Sequence, residues 1–268
     1  MRGQWLPLSA PRRIVTDLMR FAIAVPSVPV ERLVDLSAVV AARNALSRRP
    51  PWFGIFAKAY GLTAQEFPQL RRTFVKWPWP HLYEYPTSVA GVCVERDLDG
   101  EPCVMLRIFK DPATLRISEI TDIIRGAVDA PINELSDFRR IVALARLPGV
   151  VRRPIMWLAF NVARMRAQYF GTFTVTAASF MGVDALHLPT WTTSLLTFGV
   201  FGPTGQVPLR ITMDHRVFDG VAIARIMARL EEILKGPIVQ ELQQELQQEL
   251  QQELQSEPAG GELTKKRG

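Results

Sequence analysis

His215 stands in the run Thr212-Met213-Asp214-His215-Arg216-Val217-Phe218-Asp219-Gly220, with one carboxylate before it, another four residues after it and a glycine closing the run. It is one of three histidines in the chain, with His81 and His187. An imidazole changes charge near neutral pH, so it can take a proton from a reacting group and return it. That use requires an exposed ring on a fixed backbone, and the flanking sequence supplies both. Val207, Leu209, Ile211 and Met213 alternate at period two, the pattern of a strand with one buried face. After the motif the period becomes helical: Val221, Ile223, Ile226, Met227, Leu230, Ile233 and Leu234 share a stripe, Asp219 can cap the start and Gly236 can end it. The histidine therefore lies on a tight turn between strand and helix. The same spacing also fits a strand-ending histidine hydrogen-bonded within its own turn, with Asp219 as a helix cap and nothing more.

Two further stretches carry polar groups on regular elements. Tyr169-Phe170-Gly171-Thr172-Phe173-Thr174-Val175-Thr176 reads as a β-branched strand. Arg12-Arg13-Ile14-Val15-Thr16-Asp17-Leu18-Met19 opens a helix behind a Pro-punctuated arm.

Asp-His-Arg-Val-Phe-Asp-Gly, in family order with these two stretches, resembles the catalytic domain of the acyltransferases (E2) of 2-oxo acid dehydrogenase complexes. More broadly it is similar to chloramphenicol acetyltransferase-like enzymes. The resemblance spans about residues 12–235. It implies an α/β fold, the chloramphenicol acetyltransferase-like two-layer sandwich with a mixed sheet, which forms trimers with active sites at the subunit interfaces. By resemblance, His215 is the general base, Asp219 fixes its turn, and Thr176 donates its hydroxyl to the oxyanion. Arg12, or Arg13 beside it, would hold Asp219. His187 falls in a segment that the family uses for substrate contacts. Where the family has Asn-Leu-Gly after the strand this chain has Ala177-Ala178-Ser179, so Ser179 is a second candidate donor. The implied reaction is coenzyme A-dependent transfer of an acyl group from a thioester to a thiol or hydroxyl acceptor, with no metal. Related condensation domains carry two adjacent histidines, whereas here Asp214 precedes His215, which disfavours peptide condensation. No lipoyl or subunit-binding domain is read in these residues, so a lipoyl group would come from a partner or carrier protein. The alternative is a non-catalytic E2-like trimeric scaffold, or a module that binds a membrane surface.

The remaining sequence supplies the frame. Extended residues 25–30 separate helices at 14–21 and 36–46, and 53–67 is helical with Lys58 in an apolar face. Trp77-Pro78-Trp79-Pro80 excludes regular structure, and His81 beside it reads as structural. A hairpin turns at Asp97-Leu98-Asp99-Gly100, and a helix follows at 118–126, capped by Ser118 or Thr114. Residues 138–170 carry seven arginines among apolar residues and no carboxylate. Pro148-Gly149 and Pro154 divide them into two short helices. This is longer and more basic than the family's connection, and three readings stand open: a wall for a long acyl chain or other apolar acceptor, a membrane-surface helix, or a subunit contact. Its arginines could also meet a coenzyme's phosphates.

By the resemblance, residues 1–238 form the catalytic domain. In 239–268, Glu-Leu-Gln-Gln repeats put leucines four apart, which drifts about 40° per repeat on a helix, so a lone solvated helix and a disordered basic tail are expected. The net charge of +6 suits polyanionic partners such as nucleotides or anionic lipid, but no nucleic-acid motif accompanies it. No signal peptide or membrane-spanning run is present, and no Cys/His cluster has metal-ligand spacing. Cys93 and Cys103, the two cysteines, fit a reducing cytoplasm.

Overall fold

The chain folds around one mixed six-stranded sheet. We describe residues 3–177, 179–180 and 183–256 from a computed structural model. The strands are β1 (Ser27–Asp35), β2 (Arg72–Val75), β3 (His81–Glu84), β4 (Val89–Leu98), β5 (Glu101–Lys110), β6 (Phe173–Ala177), β7 (Ser179–Phe180), β8 (Val183–Asp184), β9 (Ser194–Phe198) and β10 (Gln206–Asp214). The helices are α1 (Ala10–Ile23), α2 (Ser37–Ala45), α3 (Trp52–Glu66), α4 (Ile117–Asp129), α5 (Ser136–Arg146), α6 (Gly149–Asn161), α7 (Ala163–Phe170), α8 (Gly220–Ile233) and α9 (Val239–Ser256). The main sheet runs in the order β1-β10-β9-β6-β4-β5, and strands β2–β3 and β7–β8 form two small separate ladders.

β6 runs parallel to β4 and to β9, and the remaining ladders of the main sheet are antiparallel. Pro29 and Pro102 lie on the edge strands β1 and β5, where a missing N–H can face solvent. The two sheet faces differ in chemistry. One carries Val92, Val94, Phe173, Val175, Leu196, Leu209, Ile211 and Met213 and buries them against α3, α4 and α8 in a single core. The other face is rich in polar groups, and the registers align it in rows that cross the sheet. One row reads Leu106, Cys93, Thr176, Thr197, Arg210, Glu31, and closer to the end of β10 lies Lys110, Val89, Thr172, Thr193, Asp214, Ser27.

Residues 138–170 depart from expectation: with flanking residues they form three helices, α5, α6 and α7, instead of two. Pro148 caps α6, Pro154 is accommodated inside it, and the chain breaks instead at Val162. This layer docks onto α1 through a buried cluster in which Asp17 meets Arg152 at 2.7 Å and Arg153 at 3.4 Å, and through the stacked rings Phe21, Phe160 and Phe170.

Gly236 does not end α8. The helix passes through a π turn at Leu234–Ile238, which absorbs Gly236 and Pro237, and continues as α9. Nor is the repeat helix solvated over its length. Leu242 is 0% exposed in the main core and Leu246 packs against it, while the drift carries Leu250 to 50% exposure. The carboxylates of the repeat also find partners: Glu241 and Glu245 accept the backbone N–H groups of Ile117 and Ser118 at 2.8 and 2.7 Å. They therefore supply the caps of α4 that Ser118 or Thr114 was expected to give. The same Glu241 pairs with buried Lys58, whose ammonium also donates to the Ala113 and Leu115 carbonyls. Leu242→Ala should cost about 2–4 kcal/mol in denaturant unfolding, whereas Leu250→Ala should stay within about 0.5 kcal/mol of the parent. Equal effects would mean that α9 does not pack as described. Residues 257–268, expected to be disordered, lie outside the described residues.

Candidate active site

The His215 turn is pinned on both sides. Its backbone N–H donates to the Pro26 carbonyl at 3.0 Å, tying it to the start of β1, and Val217 and Phe218 both donate to the Asp214 carbonyl. The ring is exposed. Its Nδ1 lies 2.7 Å from the Phe218 carbonyl oxygen. A carbonyl can only accept, so Nδ1 carries a proton, and in the neutral ring Nε2 is left as the acceptor. That is the tautomer of a general base, fixed by the backbone of the turn itself.

The carboxylates on either side have separate roles. Asp219 is the N-cap of α8, its Oδ1 accepting the Ala222 N–H at 2.7 Å. It makes no ion pair among the described residues, and the expected clasp from Arg12 or Arg13 is not formed in this chain. Arg12 pairs with Glu101, next to the β4–β5 turn, and Arg13 donates to the Leu8 carbonyl. Because β5 begins at the sheet end remote from His215, the start of α1 is a sheet length away from Asp219.

The carboxylate that arginine does hold is Asp214, which in the motif stands out only for not being a second histidine. It is 0% exposed, and Arg216 engages it through Nε at 2.8 Å, Nη2 at 2.7 Å and its backbone N–H at 3.0 Å. Arg216 in turn lies over the Phe74 ring at 4.3 Å. A second arginine, Arg166 of α7, is buried nearby, donating to the Phe74 and Trp191 carbonyls at 3.1 and 2.9 Å. Burial pushes its pKa down, and the charges of Tyr85 and Asp214 oppose that shift. The arginine-rich insertion thus reaches beneath the histidine turn. Arg152 and Arg166 serve internal contacts, which removes them from any coenzyme role. An acid bound by an arginine two residues later is visible as Asp-His-Arg, but that it faces inward needs the register of β10.

His187 comes close to the same place. Its Nε2 lies 3.2 Å from the Ser27 hydroxyl, and Ser27 pairs with Asp214 and follows Pro26. The two histidines therefore flank one corner of the sheet. His81, in contrast, has its Nδ1 2.7 Å from the Trp79 carbonyl, within its own loop.

Thr176 is not brought to His215 within the chain. It lies on β6 in the Arg210 row, five residues and two strands from His215, a separation of about 19 Å at roughly 3.3 Å per residue and roughly 4.8 Å per strand. Its hydroxyl lies near the Cys93 thiol on the neighbouring strand. Burial pushes that thiol up to about 11, with the nearby Thr176 hydroxyl opposing the shift, so Cys93 stays protonated and is no nucleophile near neutral pH. Ser179 lies in β7, and its side chain falls outside the described residues.

Compared by sequence, the chain matches no protein-family model and no curated protein. Compared by structure, it is similar to the dihydrolipoamide acetyltransferase (E2p) of Azotobacter vinelandii, with 17% identity and a TM-score of 0.63 over 88% of this chain and 92% of that one. It is similar also to a truncated catalytic core of the 2-oxoacid dehydrogenase multienzyme complex from Thermoplasma acidophilum, with 18% identity and a TM-score of 0.60 over 88% and 99% of the two chains. A chloramphenicol acetyltransferase follows at 14% identity and a TM-score of 0.50, over 82% of this chain and 94% of that one. The fold is the one these acetyltransferase structures share, and the expected mixed α/β architecture stands.

Proposed function

We propose that the protein is an acyltransferase that moves an acyl group from a coenzyme A thioester to a thiol or hydroxyl acceptor. The observation that carries this is the His215 turn: an exposed ring whose Nδ1–H is committed to the Phe218 carbonyl, leaving Nε2 as a fixed acceptor. In support, the Azotobacter vinelandii work concerns a serine, a histidine and an asparagine four residues beyond it in that enzyme's mechanism, the same spacing as His215 and Asp219.

The reaction needs four movements. Nε2 takes the proton of the acceptor thiol or hydroxyl, and the freed sulfur or oxygen bonds to the thioester carbon. The carbonyl electron pair moves onto oxygen, where the Thr176 hydroxyl donates to the growing charge. The pair then returns, the carbon–sulfur bond to coenzyme A breaks, and the leaving thiolate takes the proton back from His215. No electrons are gained or lost. Because Thr176 and His215 are about 19 Å apart within one chain, this chemistry requires Thr176 from a second copy, which makes the trimer part of the proposal and not an addition to it. A lipoyl group carried by a partner is one thiol acceptor of the right kind. The free thiols Cys93 and Cys103 suit a reducing compartment such as the cytoplasm.

Thr176→Ala should lower kcat about 10²- to 10³-fold with little change in KM, and Thr176→Ser should recover most of it. A purely structural strand threonine would leave kcat near the parent value. Acyl-CoA disappearance with dihydrolipoamide or a simple thiol as acceptor tests the function itself; no turnover across acyl groups and acceptors would leave the non-catalytic scaffold. One observation favours a membrane-surface reading beside catalysis: α6 exposes Val150, Val151, Ile155, Trp157 and Leu158 within the arginine-rich, carboxylate-free segment.

A further inference from the structure

Between α5, α6, α7 and the polar-side face of β5 lies a cavity of about 320 Å³. Its floor is Leu106 and Ile108, and its walls include Ile155, Met156 and Ala159 of α6 and Phe170 at the end of α7. Of the charged groups at its margin, Asp137 is taken by Arg107 at 2.7 Å and Arg140 is exposed, so neither asks for a charged occupant inside. An apolar space of this size, roofed by three helices, is space for an apolar ligand.

The register says which ligand. Leu106 of the floor pairs with Cys93, and Cys93 lies next to Thr176 on the neighbouring strand, one step beyond the Val92–Val175 pair. Two strand spacings, about 10 Å, separate the cavity floor from the Thr176 hydroxyl. The residue between them is an uncharged thiol. A chain lying along this row would therefore place its tail under α6 and its head at the candidate oxyanion donor without crossing a fixed charge.

We propose that this cavity receives the end of the acyl chain of the transferred group, and that the substrate is a long, unbranched acyl thioester. The inference rests on the acyl-transfer reading above and names its substrate class. At roughly 1.2 Å per bond of an extended chain, about eight carbons span the row, and at roughly 30 Å³ for a group the size of water the cavity accommodates about ten more. The arginine-rich insertion thereby gains a function, because residues 138–170 wall a specificity pocket.

Two arms test this. In the first, kcat/KM is measured for a series of straight-chain acyl-CoA thioesters from acetyl to docosanoyl. It should climb to a maximum near stearoyl and fall by docosanoyl. Ala159→Phe, which fills the cavity, should lower the stearoyl-to-acetyl ratio at least about tenfold, and Met156→Ala, which enlarges it, should move the maximum about two carbons longer. A gain for longer chains cannot come from misfolding. In the second arm, calorimetric titration with free decanoate reports the cavity without catalysis, and binding should be lost in Ala159→Phe. Turnover with a flat chain-length profile unmoved by either substitution would overturn the pocket while leaving acyl transfer standing. Decanoate binding with no thioester turned over would overturn the substrate assignment together with the transfer reading, leaving a fatty-acid site.

Discussion

His215→Ala should abolish acyl transfer, lowering kcat/KM by about 10³-fold or more, while circular dichroism, melting temperature and oligomeric state stay at the parent values. The separation of the two effects follows from the geometry. The ring is exposed, so its loss leaves no core cavity, and the one side-chain bond lost is to the Phe218 carbonyl. The turn itself is held by the backbone contact to Pro26 and by Asp214, neither of which needs the imidazole. Steady-state rates with the best acyl-CoA, alongside size-exclusion with light scattering, check it. Activity within tenfold of the parent would remove His215 from the chemistry and leave its turn as a structural cap.

Asp214→Ala should damage both properties at once. The carboxylate is fully buried and answers Arg216 through two side-chain bonds and a backbone one, with Arg166 close by. Removing one member of a buried ion pair typically costs about 3–5 kcal/mol, because the remaining charge is left without its partner. Arg216 is partly exposed and can turn toward water, which places the expectation at about 3 kcal/mol. For a chain of this size that is a fall of roughly 6–12 °C in melting temperature. The turn should loosen too, and kcat should fall with it although Asp214 does not touch substrate. Asp214→Asn, which keeps the shape and two of the acceptor bonds, should recover part of the stability. A melting temperature within about 2 °C of the parent for Asp214→Ala would show that the arginines do not depend on it.

Local patterns made much of this legible. The change of period on either side of His215 marked β10 and α8, the Asp-Leu-Asp-Gly turn marked the β4–β5 hairpin, and the strand ending at Thr176 was readable from its β-branched residues. What failed depended on long-range contacts. Arg12 was matched to Asp219 by resemblance, whereas within one chain its acid is Glu101, and nothing in the helix around Arg12 encodes which acid it meets. Asp214 and Arg216 could be read as adjacent charges, yet only strand register turns one of them inward. The break at Val162 carries no proline or glycine, so the third helix of the insertion had no local signal. Gly236 and Pro237 signalled an end to the helix that the π turn instead accommodated. The apolar cavity likewise belongs to no single segment, since its lining comes from one strand and three helices.

The repeat helix divides into inner and outer units. The inner units are committed: Glu241 and Glu245 cap α4, Leu242 is in the core, and Glu249 accepts the Ser47 N–H at 3.0 Å. Beyond Glu249 the leucines stand at 50% and 73% exposure, so the outer units add no fully buried apolar side chain. Each four-residue unit past Glu249 lengthens the helix by about 6 Å without adding to the core. The reach of this arm is thus set by the number of repeats and not by the packing of the folded body it springs from.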